Sequence, residues 1–292
     1  MSVFHAMILG LIQGITEFLP INNTIHLETA QSFFQADYVG KWGLFLFIIQ
    51  IGTILSVFFY YAGECKHIIV ETCLMIRDIM ENALRSFCRI AGMKMKRKKI
   101  INSAYRKFVI MIVISSIPTA IAGFFLHDLA HISADTMILP GIFMIINGCI
   151  LVIANNLTIG EKKLKKATYL DAGIIGVIQG LTIMPGISRS GLTITAALLC
   201  GFDKRFAVRY SFIMSIPTLI GLLILERKAL SFPSAHSISG TVYAAGVLTS
   251  LITGIICIRI MTIVVRGKKF LPFAIYSFLF GIGIILWNMI GF

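Results

Sequence analysis

Charge is what this sequence has least of. Only 13% of its 292 residues are Asp, Glu, Lys or Arg, whereas 57% are hydrophobic, and the mean hydropathy is +0.89. So little polar surface excludes a soluble globular domain and points to an integral membrane protein. Acidic residues are the scarcer sign, 13 against 26 Lys and Arg, which leaves a formal net charge of +13. The N-terminal apolar stretch has no basic leader, and it carries Glu17 with no small-residue cleavage site after it. A cleaved signal peptide is therefore not expected. The six cysteines (65, 73, 88, 149, 200 and 257) form no C-x-x-C pair and have no metal-ligand spacing; reduced, structurally incidental thiols are expected.

What is present is apolar length. Six runs, 42–62, 105–126, 137–157, 205–225, 238–262 and 272–290, are each long enough to cross a hydrocarbon core of about 30 Å as a helix. With loops assigned alternately to the two sides, 63–107, 158–170, 201–209 and 259–269 contain 11, 4, 3 and 4 Lys/Arg. The other side has Lys41, Arg227 and Lys228, and Arg189 lies within an interrupted segment. This asymmetry is the positive-inside pattern and puts the basic loops in the cytoplasm. It also argues against nucleic acid as the reason for the positive charge. In the longest loop, Ile69, Cys73, Ile76, Met80, Leu84 and Phe87 recur at helical spacing before KMKRKK, as in an amphipathic helix on an anionic leaflet.

Two further apolar stretches, 3–36 and 169–200, are broken in the middle by Pro, Gly and polar residues. The loop sides require each to begin and end on one face of the membrane, so each is expected to be a re-entrant hairpin. They share a phrase, GLIQGIT at 10–16 and GVIQGLT at 176–182, followed by Leu19-Pro20 and Met184-Pro185. Three spans separate them, and an odd number inverts the second copy. The expected fold is therefore all-α, with six transmembrane helices and two re-entrant hairpins arranged as inverted-topology repeats. These form a single membrane domain over 1–292: repeat one to about 157, a cytoplasmic basic loop at 63–104, and repeat two over about 169–292. The SIPT echo at 116–119 and 215–218 falls in non-corresponding spans and is read as chance or local kink chemistry.

Irregular backbone at membrane depth must be buried in protein or line a wet cavity, so the two breaks should face each other across a polar pocket. PGISRSGLT at 185–193 supplies Ser188, Arg189, Ser190 and Thr193 where a half-helix starts. Free N–H groups, hydroxyls and a guanidinium make an anion site suited to phosphate; the bland alternative is an Arg that only ties hairpin to helix through an ion pair. QGITEFLPINNTIH at 13–26 supplies Glu17, a metal-binding or general-base carboxylate, and His26, a general acid. Intramembrane charges cost about 2.5–3.5 kcal/mol each, which favours a functional reading for the set.

These motifs resemble the undecaprenyl-pyrophosphate phosphatase family, the bacitracin-resistance phosphatases, whose first motif reads approximately E-G-x-T-E-F-L-P-V-S-S-T-G-H and whose second reads P-G-x-S-R-S-G-x-T. The second is intact here, and IIQIGTIL (48–55) and FLPFAIYSFLFG (270–281) add support along nearly the whole chain. The resemblance implies hydrolysis of undecaprenyl (polyprenyl) diphosphate to the monophosphate in the bacterial plasma membrane, for recycling of the cell-wall carrier lipid. It also implies a divalent cation, Mg²⁺ or Ca²⁺, at Glu17. Carried over, Arg189, Ser188 and Ser190 grip the diphosphate with support from Thr193, Glu17 binds metal or acts as base, and His26 transfers protons. A groove between spans holds the lipid tail; the oligomeric state stays open, a homodimer among the options.

The first motif departs from the family pattern: Gln13 stands for Glu, Asn22-Asn23 for Ser-Ser and Ile25 for Gly. Gln13 and Asn23 retain hydrogen bonding at the substrate, and Thr24 is a nearby hydroxyl, but Asn23 cannot accept a phosphoryl group. An attacking water is the route that remains. The competing reading is a member that binds or transports polyprenyl phosphate without hydrolysis; a structural paralogue with no ligand is the third. PSAH at 233–236 resembles an element of type-2 phosphatidic acid phosphatases, but no His follows His236, so it reads as an outer loop with Ser234 as a helix cap.

Overall fold

In a computed structural model, residues 1–34, 41–90, 96–134, 137–158, 160–225 and 238–290 are described. Among them are eleven α-helices: α1 (Val3–Phe18), α2 (Asn23–Phe33), α3 (Lys41–Tyr60), α4 (Ala62–Ile90), α5 (Ala104–Ala134), α6 (Ile138–Asn156), α7 (Tyr169–Gly180), α8 (Arg189–Leu199), α9 (Lys204–Leu225), α10 (Gly240–Gly267) and α11 (Leu271–Ile290). Six of these, α3, α5, α6, α9, α10 and α11, are long and apolar enough to span a bilayer, and they match the six expected runs. The protein is an all-α, multi-pass membrane protein. The PSAH segment and its Ser234 lie outside the described residues; Ser239 caps α10 by accepting from the Thr241 amide.

Both interrupted stretches are helix–break–helix units, and their breaks have the same cause. A residue preceding proline is pushed out of the helical region. Leu19, before Pro20, is extended at φ −78°, ψ 155°, and Met184, before Pro185, at φ −67°, ψ 125°. Each unit then restarts on a polar cap: Asn22 Oδ1 accepts from the Ile25 amide at 2.9 Å, and Ser188 Oγ accepts from the Gly191 amide at 3.3 Å.

The first half-helices of the two units, α1 and α7, pack closely on longer helices because glycine lets backbones touch. On α1, a Cβ at Gly10 would lie 2.4 Å from the Gly246 carbonyl oxygen of α10, and one at Gly14 would lie 2.8 Å from that of Ser250. On α7, a Cβ at Gly176 would lie 2.3 Å from the Ser115 carbonyl oxygen of α5, and one at Gly180 would lie 2.5 Å from Ala122 Cβ. The shared phrase GxxQG thus has one use in both units: each entering helix packs along a long span from the other half of the chain.

The SIPT echo, read as chance or local kink chemistry, places a proline and a threonine at matching points of two spans. Pro118 and Pro217 lie inside α5 and α9, and Gln179 Nε2 donates to both threonines of the echo, Thr119 at 3.1 Å and Thr218 at 2.7 Å. This buried amide ties α7 to two proline-containing spans at once.

Most of the long basic segment is helical. α4 follows α3 almost without interruption and exposes Ile69, Ile76, Met80, Leu84 and Phe87 in one stripe. Its other face pairs with Arg106, whose guanidinium donates to Glu71 at 2.8 Å and Asp78 at 2.7 Å. These hydrogen bonds hold both carboxyls below the usual carboxylate range. Asn82 and Arg85 fasten residues 96–98 along α4 by donating to the Lys98 and Lys96 carbonyls.

Replacing Gly176 with Leu should destabilise the protein by at least about 1–3 kcal/mol through overpacking against backbone. Gly63→Ala, where nothing lies within 4 Å, should leave stability nearly unchanged. Thermal unfolding in detergent checks both.

Candidate functional site

The two breaks lie against each other. Ser190 Oγ donates to the Leu19 carbonyl at 2.9 Å, with Ser188 Oγ 3.4 Å from the same oxygen. Asn22 Nδ2 donates to the Ile187 carbonyl at 3.0 Å. A Cβ at Gly191 would be 3.1 Å from Pro20 Cβ. Each unit therefore satisfies carbonyls that the other's break has released, which matters where no solvent reaches.

Across this contact runs an ion pair. Arg189, first residue of α8, places Nη2 2.7 Å from Glu17 Oε1 near the end of α1, with side chains only 11% and 6% exposed. The other oxygen, Glu17 Oε2, accepts from Asn23 Nδ2 at 2.8 Å and Gln13 Nε2 at 3.2 Å. Asn23 Nδ2 also lies 3.1 Å from Gln13 Oε1, and Asn23 Oδ1 accepts from Thr16 Oγ1 at 2.9 Å. All the positions at which the first motif carries an amide thus have a partner: Gln13 and Asn23 hold the carboxylate, while Asn22 caps α2 and binds the opposite break. On Arg189, by contrast, Nε and Nη1 are buried and have no acceptor among the described residues. Its helix is anchored by Thr193, whose Oγ1 donates to the Arg189 carbonyl at 2.7 Å and lies 2.5 Å from Ser211 Oγ of α9.

His26 is oriented differently. Its Nδ1 meets the Asn22 carbonyl, which can only accept, so Nδ1 carries the proton and Nε2 accepts from the Tyr276 hydroxyl at 2.5 Å. The ring stacks on Phe280 of α11, with centroids 4.6 Å apart. Thus the structure joins Gln13, Glu17, Asn23, Ser188, Arg189 and Ser190 in one cluster, with Thr193 beneath it. His26 sits beside the cluster against α11, and Thr24 is exposed.

Among the described residues, no three His, Cys, Asp or Glu side chains gather as a metal cage. The oxygens in the cluster around Arg189 are the Glu17 carboxylate, the amide oxygens of Gln13 and Asn23, the hydroxyls of Ser188 and Ser190, and the Glu17 and Leu19 carbonyls. That donor set fits a hard divalent cation held mainly through a substrate's phosphate oxygens, not an all-protein site.

Two groups of site residues lie outside the expected motifs. Asn147 of α6, fully buried, contacts both breaks and Ser277 of α11. Tyr276 and Phe280 hold His26. The polar residues of FLPFAIYSFLFG were the available signal, since Tyr276 and Ser277 interrupt an otherwise apolar span. Asn147 was marked only by being an amide in the middle of one.

Fold and site define a polytopic helical membrane protein with an ion pair and a ring of amides and hydroxyls between two proline-broken helices. The chain belongs to the bacitracin resistance protein BacA family, whose profile matches residues 6–283. It is 34% identical over 293 residues to an undecaprenyl-diphosphatase of Alkaliphilus metalliredigens, covering 99% of this chain and all of the relative. It is also 30% identical to an undecaprenyl-diphosphatase of Methanosphaera stadtmanae, covering 99% of each. A third relative, undecaprenyl-diphosphatase 4 of Bacillus thuringiensis, is 33% identical, with 98% of this chain and 96% of the relative covered.

Removing one partner of a buried ion pair strands the other, typically at about 3–5 kcal/mol. Glu17→Ala and Arg189→Ala should each lower thermal stability, and the double variant should lose clearly less than the sum. Additive losses in a melting-temperature cycle would deny the coupling.

Proposed function

We propose that the protein is a membrane hydrolase that removes the terminal phosphate of a polyprenyl diphosphate, undecaprenyl diphosphate by the names of its relatives. The observation that carries this reading is Arg189: a guanidinium bound on one side to Glu17, with Nε and Nη1 buried and lacking an acceptor among the described residues, at the N-terminus of a half-helix. Buried donors of this kind need an acceptor, and a diphosphate supplies several in the planar arrangement that arginine recognises. Ser188 and Ser190 Oγ lie within one residue of it, so their hydroxyls can turn from the Leu19 carbonyl to phosphate oxygens. The first-turn amides of α8 add donors and a favourable helix dipole.

Asn23 carries no hydroxyl and holds Glu17, so no side chain at that position can take up the phosphoryl group. A water therefore attacks the terminal phosphorus. Its oxygen bonds to phosphorus, the bridging P–O bond breaks, and its proton passes to the Glu17 carboxylate, giving orthophosphate and lipid monophosphate. Catalysis of this kind comes from placement and charge, not from covalent intermediates. A divalent cation, Mg²⁺ or Ca²⁺, would be held by Glu17 with the amide oxygens of Gln13 and Asn23, where it would neutralise charge on the phosphates. His26, with Nε2 facing Tyr276, would exchange protons at the edge of the site. The apolar surfaces of the spans would accommodate the lipid tail.

On this reading the protein lies in the bacterial plasma membrane with its basic segments in the cytoplasm. The units 3–36 and 169–200 re-enter from opposite sides, and the halves 1–157 and 169–292 are inverted repeats, supported by the reciprocal packing of α1 on α10 and α7 on α5. The exposed stripe of α4 would rest on the inner leaflet. Binding or transport without turnover fits less well, because the site keeps a carboxylate beside the anion-binding arginine.

The test is phosphate release from undecaprenyl diphosphate by the purified protein, with Mg²⁺ or Ca²⁺ and with a chelator. Release should require metal and fall at least about 10³-fold in Arg189→Ala. Asn23→Ala, which loosens Glu17 without removing a nucleophile, should lose no more than about tenfold. Metal-independent release, or none at all, would contradict the proposal.

A further inference from the structure

Asn147 occupies a position that no property of the spans requires. It lies on α6 amid apolar residues, with no solvent exposure, where an unsatisfied amide is strongly unfavourable. Three partners from three different elements account for it. Its Nδ2 donates to the Pro20 carbonyl of the first break at 3.2 Å and to Ser277 Oγ of α11 at 3.1 Å. Its Oδ1 accepts from the Ser188 amide of the second break at 3.1 Å. The amide orientation is determined by its partners, because a carbonyl can only accept and an amide N–H can only donate.

The two backbone atoms it grips flank the reacting groups. Pro20 is three residues after Glu17, and Ser188 immediately precedes Arg189. The same helix also abuts the second break directly: Gly186, at φ +109°, lies so close to α6 that a Cβ there would be 2.3 Å from the Pro140 carbonyl oxygen. α6 is in turn locked to α11, since a Cβ at Gly141 would be 2.6 Å from Ile285 and one at Gly148 would be 2.8 Å from Phe278. Asn147 therefore connects the two breaks to a closely packed helix pair that both of them meet.

We infer that Asn147 is a positioning residue: it fixes the first break against the second, and so sets the distance between Glu17 and the part of Arg189 that meets substrate. It touches neither the ion pair nor the proposed diphosphate, and it acts only through the Pro20 carbonyl and the Ser188 amide. Its kinetic consequence rests on the hydrolase reading above; its geometric consequence does not. A residue of this kind affects kcat more than KM, because Arg189 still captures the phosphate while the carboxylate that guides the water is displaced. A misplacement of roughly 1 Å at a reacting centre is enough for about a 10²-fold loss.

Three variants separate this role from simple packing. Asn147→Asp keeps the shape and the acceptor for Ser188, but, protonated by burial, it has only one O–H to share between Pro20 and Ser277. Asn147→Leu keeps approximate volume and has neither donor nor acceptor. Ser277→Ala removes only the link to α11 and should stay within about threefold of the parent in kcat. Asn147→Leu should lose about 10²-fold in kcat, and Asn147→Asp less than that, with KM for polyprenyl diphosphate changed less than about threefold in both. In hydrogen exchange by mass spectrometry, Asn147→Leu should speed amide exchange in peptides covering 19–24 and 184–191, while peptides of α10 keep parental protection. An Asn147→Leu protein with kcat within threefold of the parent, or a change confined to KM, would overturn the inference. So would parental exchange at both breaks in Asn147→Leu. The exchange result decides the geometric role even for a parent protein that releases no phosphate, an outcome that would count against the hydrolase reading alone.

Discussion

Breaking a helix inside an apolar environment frees carbonyl and amide groups that lipid cannot satisfy, and the rest of this structure follows from how that need is met. The protein breaks two helices and lets each supply the other. Leu19 accepts from the serines of the second unit, Ile187 accepts from Asn22 of the first, and Asn147 takes one group from each. Once the breaks are committed to each other, Glu17 and Arg189 come within 2.7 Å across a separation of 172 residues in sequence. The charged pair depends on this backbone pairing as much as it contributes to it.

The amides of the first motif acquire a physical meaning in this setting. Serine hydroxyls at positions 22 and 23 would be short and able to rotate, whereas the carboxamides reach further and offer two donors each. Asn22 spends its reach on the opposite break. Asn23 and Gln13 bracket one oxygen of Glu17, leaving the other to Arg189. The carboxylate is thereby oriented by three side chains, so the exchange of hydroxyls for amides at 22 and 23 goes with a carboxylate held by protein donors on both oxygens. Chemistry that relies on positioning and electrostatics tolerates this exchange more readily than chemistry that requires a covalent step.

Much of this was legible in the sequence, for reasons that can be named. Six spans followed from apolar length alone, and both breaks from proline preceded by a residue that cannot remain helical. The cluster of Glu17, Arg189 and the two serines followed from the cost of placing them in a membrane. The stripe on α4 followed from helical spacing. What stayed hidden depended on tertiary neighbours. A single Asn in an apolar run carries no periodicity, so the place of Asn147 between two breaks 168 residues apart had no local signature. His26 reads as a companion of Glu17 because it is near in sequence, but one further turn of helix directs its ring to Tyr276 and Phe280. The repeated SIPT reads as coincidence or local kink chemistry because it occupies non-corresponding spans; the reach of Gln179 to Thr119 and Thr218 joins the two copies.

The account stands or falls on whether the two breaks are in contact in the membrane. A direct measurement is a cysteine cross-link between Pro20→Cys and Gly191→Cys, whose side chains would start 3.1 Å apart at Cβ, a few tenths of an ångström inside the usual disulfide range of about 3.5–4.5 Å. After mild oxidation of membranes carrying the double variant, mass spectrometry of the digest should recover a disulfide joining the peptides around 20 and 191 within one chain. Efficient recovery of that link is the predicted result. Its absence, with both cysteines open to alkylation, would contradict a site built between the two broken helices.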